Sequence, residues 1–507
     1  MTVISVDTAV GTLARDAFTV LQPGFVGTTA PDWVLRRLDE GLGAVALFSR
    51  NIESPEQVAA LTARLRAVRP DVLVAADEEG GDVTRLEARG GSSFPGNLAL
   101  GAVDDIKLTR AVAAELGRRL AGCGVNLDWA PSADVNSDPG NPVIGVRSFG
   151  ADPELVARHT AAYVEGLQSA GVAASVKHFP GHGDTAIDSH HAMPRIDVDL
   201  ATLRSRELVP FRAAVAAGTK VVMSAHILVP ALDAELPGTL SPVVLGGLLR
   251  APVAEGGLGY DGVIITDGIE MKAIAGTYGI ERGTVMALAA GADAICVGGG
   301  LCDELTVLAL RDAIVGAVRD GSLPAERLAD AADRVRRLAE WTADQVRAGA
   351  ADAIAPGPEV GLEAARRALR ITRTDAFTPF SPGEPAPFVA AFTPMANIAV
   401  GDVTPWGVAA ELGRLLPGTE TATYRSGATD GVLAAAGGRR VVAVVRDLHR
   451  HPWMADALAT VLAARPDTVV VEMGVPQAPP TGALHIATHG AARVCGEAAA
   501  EAIATAR

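Results

Sequence analysis

A chain of 507 residues, 49% apolar and 20% charged, has ample material for large buried cores, which excludes a disordered protein. Its 44 lysines and arginines face 59 aspartates and glutamates, a net charge of −15, so no general attraction to nucleic acid or an anionic membrane is expected. At ~150 residues per domain the length suggests about three domains, or two if one is an α/β barrel, since these commonly exceed about 250 residues.

The opening stretch, MTVISVDTAVGTLARDAF, lacks the basic segment and apolar core of a secretory signal, and no later run reaches about 18 uninterrupted apolar residues. A cytoplasmic location is expected. Strand-like and helix-like runs then alternate. AVALFS (44–49) is followed by SPEQVAALTARLRAV, where Ser54 and Pro55 suit an N-cap and first turn. DVLVAAD (71–77) precedes the helical LTRAVAAELGRRLAGC, VNLDWA (125–130) precedes ELVARHTAAYVEGLQSA, and VAASVKHF (172–179) precedes FRAAVAAG. VVMSAH (221–226), GVIITD (262–267) and ADAICV (292–297) complete the series. Such alternation predicts a parallel sheet wound with helices, either a (β/α)-barrel or an open doubly wound sheet. Polar residues recur at the C-terminal ends of the strands (Asp77, Asp128, Lys177, His178, His226, Asp267), the end that carries chemistry in barrels, and this favours the barrel. Residues 1–350 are therefore expected to form a catalytic TIM-type (β/α)8 barrel. A proline- and glycine-rich linker region with one helix, EAARRALRI, follows over 351–385, and 386–507 form a smaller α/β domain with VVAVVRD and TVVVEMG as strands. The four cysteines lack C-x-x-C spacing and are expected as apolar filling; glycine-rich phosphate-binding fingerprints are absent.

Four of the ten histidines fall in VKHFPGHGDTAIDSHHAMP (176–194). A metal site, a polar surface loop and a catalytic loop are all compatible with that composition. Against the metal, the pair His178 and His182 is four apart but separated by Pro180 and Gly181, which breaks the helix such a pair needs. In D-S-H, Asp188 and His190 are two apart, so in an extended turn the carboxylate can orient an imidazole that shuttles protons near neutral pH. Asp267 ends the apolar run GVIITD before Gly268, which suits a nucleophile at a barrel mouth, though an N-cap or an ion-pair partner would also sit there. Asp77, ahead of Gly80 and Gly81, could accept from sugar hydroxyls, and NLDWAPSADVNSDPGNPVIGVRSFG reads as a long ordered loop ending near Arg147.

The segments LFSRNI, DEEGGDVTRL, NLDWAPSADVNSDPGNPVIGVRSFG, KHFPGHGDTAIDSH, MSAHI and DGVIITDGIEM, collinear over residues ~20–300, resemble the family-3 glycoside hydrolases, and among them the β-N-acetylglucosaminidases. The resemblance implies a retaining exo-glycosidase that removes terminal N-acetylglucosamine from short saccharides or cell-wall fragments. By the same resemblance Asp267 is the nucleophile, His190 held by Asp188 is the acid/base, and Asp77, Arg147, Lys177 and His178 bind the terminal sugar. His182 and Asp184 fall to loop structure, and no metal or cofactor is implied. The C-terminal domain resembles the α/β sandwich of two-domain members, with RDLHRHPW (446–453) as a polar cluster after a strand. Two alternatives remain. A neutral histidine base does not repel inorganic phosphate, which permits a phosphorylase, and a catalytically inactive sugar-binding protein would keep the barrel without the chemistry.

Overall fold

The computed structural model describes residues 2–505 except 186–192, 302, 355–356, 358, 382, 396–399, 401–403 and 428–430. Two compact units emerge, one of Met1–Glu78, Thr109–Pro142 and Ala151–Pro356, the other of Glu79–Leu108, Val143–Gly150 and Gly357–Arg507.

In the first unit the described residues form β1 (Leu21–Pro23), β2 (Ala44–Leu47), β3 (Leu73–Ala76), β4 (Leu127–Asp128), β5 (Ala173–Phe179), β6 (Val221–Ser224), β7 (Val263–Thr266) and β8 (Ile295–Val297). β2 to β7 pair in chain order as one parallel sheet, a bridge between Ile265 and Ala294 continues it toward β8, and β8 pairs in parallel with β1. This is the (β/α)8 order. The seven expected strands are present, and β1, only three residues long, is the one that residue patterning did not reveal. Intervening helices start where capping chemistry places them: Ser54 Oγ accepts the Gln57 N–H at 3.2 Å, and Asp152 accepts that of Leu155 at 2.7 Å.

Alternate strand residues (Ala44, Ala46, Leu73, Ala75, Val221, Met223, Val263, Ile265) fill the barrel interior, while those between them are buried beneath the helices. Helix Ala325–Arg347 adds Val335, Leu338 and Ala339 to the same cluster. Its polar side chains hold residues just ahead of strands: Thr342 Oγ1 lies 3.2 Å from Asn126 Nδ2, Arg334 2.6 Å from Asp261, and Arg327 pairs with buried Asp293. The N-terminal mouth is thereby plugged, and polar chemistry is left to the C-terminal mouth.

The second unit carries a six-stranded sheet of order β11-β10-β12-β13-β14-β9, where β9 is Arg370–Arg373, β10 Phe388–Phe392, β11 Glu420–Tyr424, β12 Val441–Val445, β13 Val469–Glu472 and β14 Leu484–Ala487. Only β9 runs antiparallel. Val389, Val442, Val444, Val469 and Val471 face one helix layer, and Phe388, Ala390, Val441, Ala443 and Val470 face the other, an α/β/α sandwich. The run EAARRALRI, expected as helix throughout, divides: the helix Val360–Ala368 stops, and Ile371 enters β9. The neighbouring strand β14 supplies a ladder partner that local propensity cannot show.

Asp293 accepts from Ile264 N at 2.8 Å and pairs with both Arg250 and Arg327, fully buried. Asp293→Ala strips two guanidinium groups of their interior partner and should lower the unfolding free energy of the barrel by about 3–5 kcal/mol in denaturant titration.

Candidate active site

The barrel mouth gathers charge at the C-terminal ends of β3, β5 and β7. Lys177, on β5 and 2% exposed, places Nζ 2.6 Å from Asp77 Oδ1 at the end of β3. An ammonium so buried requires such a partner. Asp128, at the end of β4, is fully buried and accepts the Glu78 N–H at 2.9 Å, while its other oxygen has no partner among the described residues. Burial, reinforced by the nearby Glu78 and Asp77 charges, pushes this carboxyl well above the ordinary range. On β8 the buried Cys296 thiol is pushed up by burial and then by Glu270, Asp267 and Asp77, with Lys177 opposing them.

Asp267 follows β7. Its N–H donates to Ser224 O at 3.1 Å and its Oδ1 accepts the Gly268 N–H at 2.7 Å. His226, after β6, donates from Nε2 to Gly268 O at 2.9 Å and rests Nδ1 against Thr239 Oγ1 at 2.9 Å. The residue beside the expected nucleophile is thus held from a neighbouring strand. Glu270 accepts from the N–H groups of Gly298 and Gly299, and Arg50 donates to the carbonyls of the same two glycines and to Phe25 O. Neither Arg50 nor Glu270 was singled out by the sequence reading, although both lie in the segments that carry the family resemblance.

Beyond β4 the chain stays alongside β5, with Lys177 N donating to Pro131 O at 3.1 Å and Ala133 N to Lys177 O at 2.6 Å. This extension brings fully buried Asp134 to the Lys177-His178 turn. One Asp134 oxygen accepts the N–H groups of His178 (3.2 Å) and His182 (2.7 Å); the other lies 2.7 Å from His178 Nδ1 and 2.9 Å from Ser132 Oγ. Burial works to raise this carboxyl, but His178, through charge and hydrogen bonds, and the charge of His182 outweigh it and hold it at about 2. Gly183 is obligatory beside it, because a Cβ there would stand 1.7 Å from Val135 O. His182 Nδ1 lies 2.7 Å from Thr185 Oγ1, and Asp184 pairs with Arg206 at 2.5 Å. Asp188 and His190 lie outside the described residues.

Arg147 belongs to the second unit, where Glu79 clamps it with two parallel bonds, Nε to Oε2 at 3.0 Å and Nη2 to Oε1 at 2.7 Å. Asn97 Nδ2 holds the Arg147 carbonyl at 2.7 Å. Within the same unit Asp82 accepts from Ala491 N at 2.7 Å and pairs with Arg446. In the expected cluster RDLHRHPW, Asp447 accepts from Val475 N at 2.8 Å and its own N–H donates to buried Glu472, so these residues tie β12 to β13. Among the described residues no group of three or more His, Cys, Asp and Glu could hold a metal ion.

Residues 29–338 match the family described as Glycosyl hydrolase family 3 N terminal domain, more than half of the chain, and the chain belongs to this family. A Beta-hexosaminidase of Chromobacterium violaceum is 37% identical over 342 residues, covering 63% of this chain and 91% of that protein. Beta-hexosaminidase A of Pseudoalteromonas piscicida is 36% identical over 274 residues, where the match spans 50% of this chain but 45% of the other. A solved glycoside hydrolase family 3 β-N-acetylglucosaminidase from a Paenibacillus species superposes with a TM-score of 0.85 at 35% identity, covering 97% of this chain and 96% of that one.

Behind the histidine loop, buried Glu207 is pushed up by burial to about 7 despite its ion pair with Arg206 at 2.6 Å. The fold therefore binds a proton there that the unfolded chain releases above about pH 4.5, so this group's contribution to stability falls as pH rises from about 4.5 to about 7. Glu207→Gln should remove that slope, raising stability relative to the parent by roughly 3 kcal/mol at pH 8 and little at pH 4, read from denaturation curves at both values.

Proposed function

We infer that this chain is an exo-acting β-N-acetylglucosaminidase that releases terminal N-acetylglucosamine with retention of configuration. The observation that carries the activity is the likeness to the Paenibacillus β-N-acetylglucosaminidase, at 35% identity over nearly the whole of both chains. We assign Asp267 as nucleophile and His190, oriented by Asp188, as acid/base. In the first displacement the His190 imidazolium gives its proton to the glycosidic oxygen as an Asp267 oxygen bonds to the anomeric carbon and the aglycone leaves. In the second, neutral His190 takes a proton from water, the new hydroxyl bonds to the same carbon, and the Asp267 ester breaks. Two inversions give net retention.

Asp77, Lys177, His178 and Arg147 are read as the ligands of the terminal sugar. The Asp77–Lys177 pair supports this, since a carboxylate fixed by an ammonium accepts from hydroxyls without having to be reoriented. The substrates proposed are short saccharides, cell-wall fragments among them, met in the cytoplasm; neither nucleic acid nor membrane is a proposed partner, and no cofactor is invoked. A second reading concerns the acceptor. The base is an imidazole, which once neutral does not repel an anion, so phosphate could replace water in the second displacement and release the sugar 1-phosphate.

Asp267→Ala should reduce kcat on 4-nitrophenyl N-acetyl-β-glucosaminide by at least about 10³-fold, and azide should restore turnover with an α-glycosyl azide as product. A His190→Ala enzyme rescued by azide should instead give the β-azide, because the glycosyl-enzyme still forms. The opposite pattern, a β-azide from Asp267→Ala and an α-azide from His190→Ala, would reverse the assignments. Product analysis of the parent enzyme with and without phosphate decides the acceptor: free N-acetylglucosamine at an unchanged rate marks a hydrolase, and the sugar 1-phosphate marks a phosphorylase. No turnover of the glycoside under either condition would leave a sugar-binding protein.

A further inference from the structure

Asp134 was assigned no role by sequence reading, yet both oxygens of its carboxylate are engaged at the turn that joins β5 to the histidine loop. It lies on the extension of β4, 0% exposed, and its two oxygens are divided between two tasks. One oxygen collects the backbone N–H groups of His178 and His182 and so sets the path of the turn. The other faces the His178 ring nitrogen Nδ1 at 2.7 Å, with Ser132 Oγ at 2.9 Å beside it. Every group directed at this carboxylate by these contacts is a donor or can be one, and an ionised carboxylate can only accept.

We propose that Asp134 is a positioning residue of the glycosidase reaction: it keeps the proton of neutral His178 on Nδ1 and so leaves Nε2 as a bare acceptor for a hydroxyl of the terminal sugar. The inference rests on the reading of His178 as a sugar ligand and adds the direction of the bond. The carboxylate, held ionised down to about pH 2, carries no proton to offer, so the proton in the short His178–Asp134 contact belongs to the ring. The second ring nitrogen then has a lone pair, and a sugar hydroxyl must donate to it. A fluorine in place of that hydroxyl cannot donate, so the site discriminates between the two by the cost of an unpaired buried acceptor. His178 is 6% exposed, and its edge-to-face contact with His182, centroids 5.8 Å apart, restricts rotation of the ring.

The test uses the full-length enzyme labelled with ¹⁵N-histidine, with the His178 resonances identified by their loss in His178→Gln. At a pH where the ring is neutral, long-range ¹H–¹⁵N correlation should show Nδ1 protonated and Nε2 bare. In Asp134→Asn, which keeps a carbonyl oxygen for the backbone N–H groups but turns an amide N–H toward Nδ1, the tautomer should reverse. With 3-, 4- and 6-deoxyfluoro analogues of the N-acetylglucosaminide, one position should cost the parent enzyme about 10- to 100-fold in kcat/KM, and Asp134→Asn should shrink that discrimination. A purely architectural role would move neither tautomer nor fluorine selectivity. A parent enzyme with its proton on Nε2, or an Asp134→Asn protein with an unchanged tautomer, overturns the proposal. If His178→Ala discriminates the fluorinated sugars as the parent does, the sugar-ligand reading of His178 fails and the functional half of the proposal falls with it, while the tautomer still decides the Asp134 half. The parent measurement needs no variant, so the test survives an Asp134→Asn chain that does not fold.

Discussion

Lys177 is an ammonium held inside a parallel barrel, and the barrel mouth is organised around its neutralisation. A charge 2% exposed cannot be left to water, and Asp77 answers it at 2.6 Å from two strands away. The surrounding carboxyls differ in their surroundings. Asp77 answers the lysine directly, and Asp128, more deeply buried, is pushed by that burial toward holding its proton. Lys177 and Asp77 thus present opposite charges at a fixed separation of 2.6 Å before any ligand arrives. That is the condition under which hydrogen bonds to a sugar cost little reorganisation.

A second constraint operates on the backbone. The chain beyond β4 runs beside β5 so closely that only glycine fits at 183, and this close approach carries Asp134 to the start of the histidine loop. Glu207 and Arg206 support the same loop from behind, with Arg206 pairing to Asp184. The residues that bear the expected chemistry are therefore surrounded by residues whose work is to hold them: Asp134 for His178, His226 for the Asp267-Gly268 peptide, Arg50 and Glu270 for the glycines after β8.

The second unit draws two excursions of the first half of the chain into its own packing. Gly361 leaves no room for a Cβ beside Ser93 O, Arg493 donates to Ser93 Oγ at 2.7 Å, and Asp82 joins Arg446 to the Ala491 amide. Arg147 and its Glu79 clamp belong to this unit. The stretches Glu79–Leu108 and Val143–Gly150 thus pack with Gly357–Arg507.

The sequence by itself determined the fold class, the order of all but one barrel strand and the family, because these depend on local patterns: apolar runs of strand length, capping residues ahead of helices, and a motif whose residues are consecutive. It also marked Asp77, Lys177, His178 and Asp267, which stand at strand ends that a barrel must bring together. Tertiary structure alone decided the partners. Asp134 lies 44 residues from His178, Glu79 lies 68 from Arg147, and Asp77 lies 100 from Lys177. Strand β1 and the edge strand β9 were likewise invisible, being three and four residues long and stabilised by neighbours rather than by propensity. Local chemistry is written along the chain, whereas charge compensation and hydrogen-bond satisfaction are settled between segments that only folding brings within reach of one another.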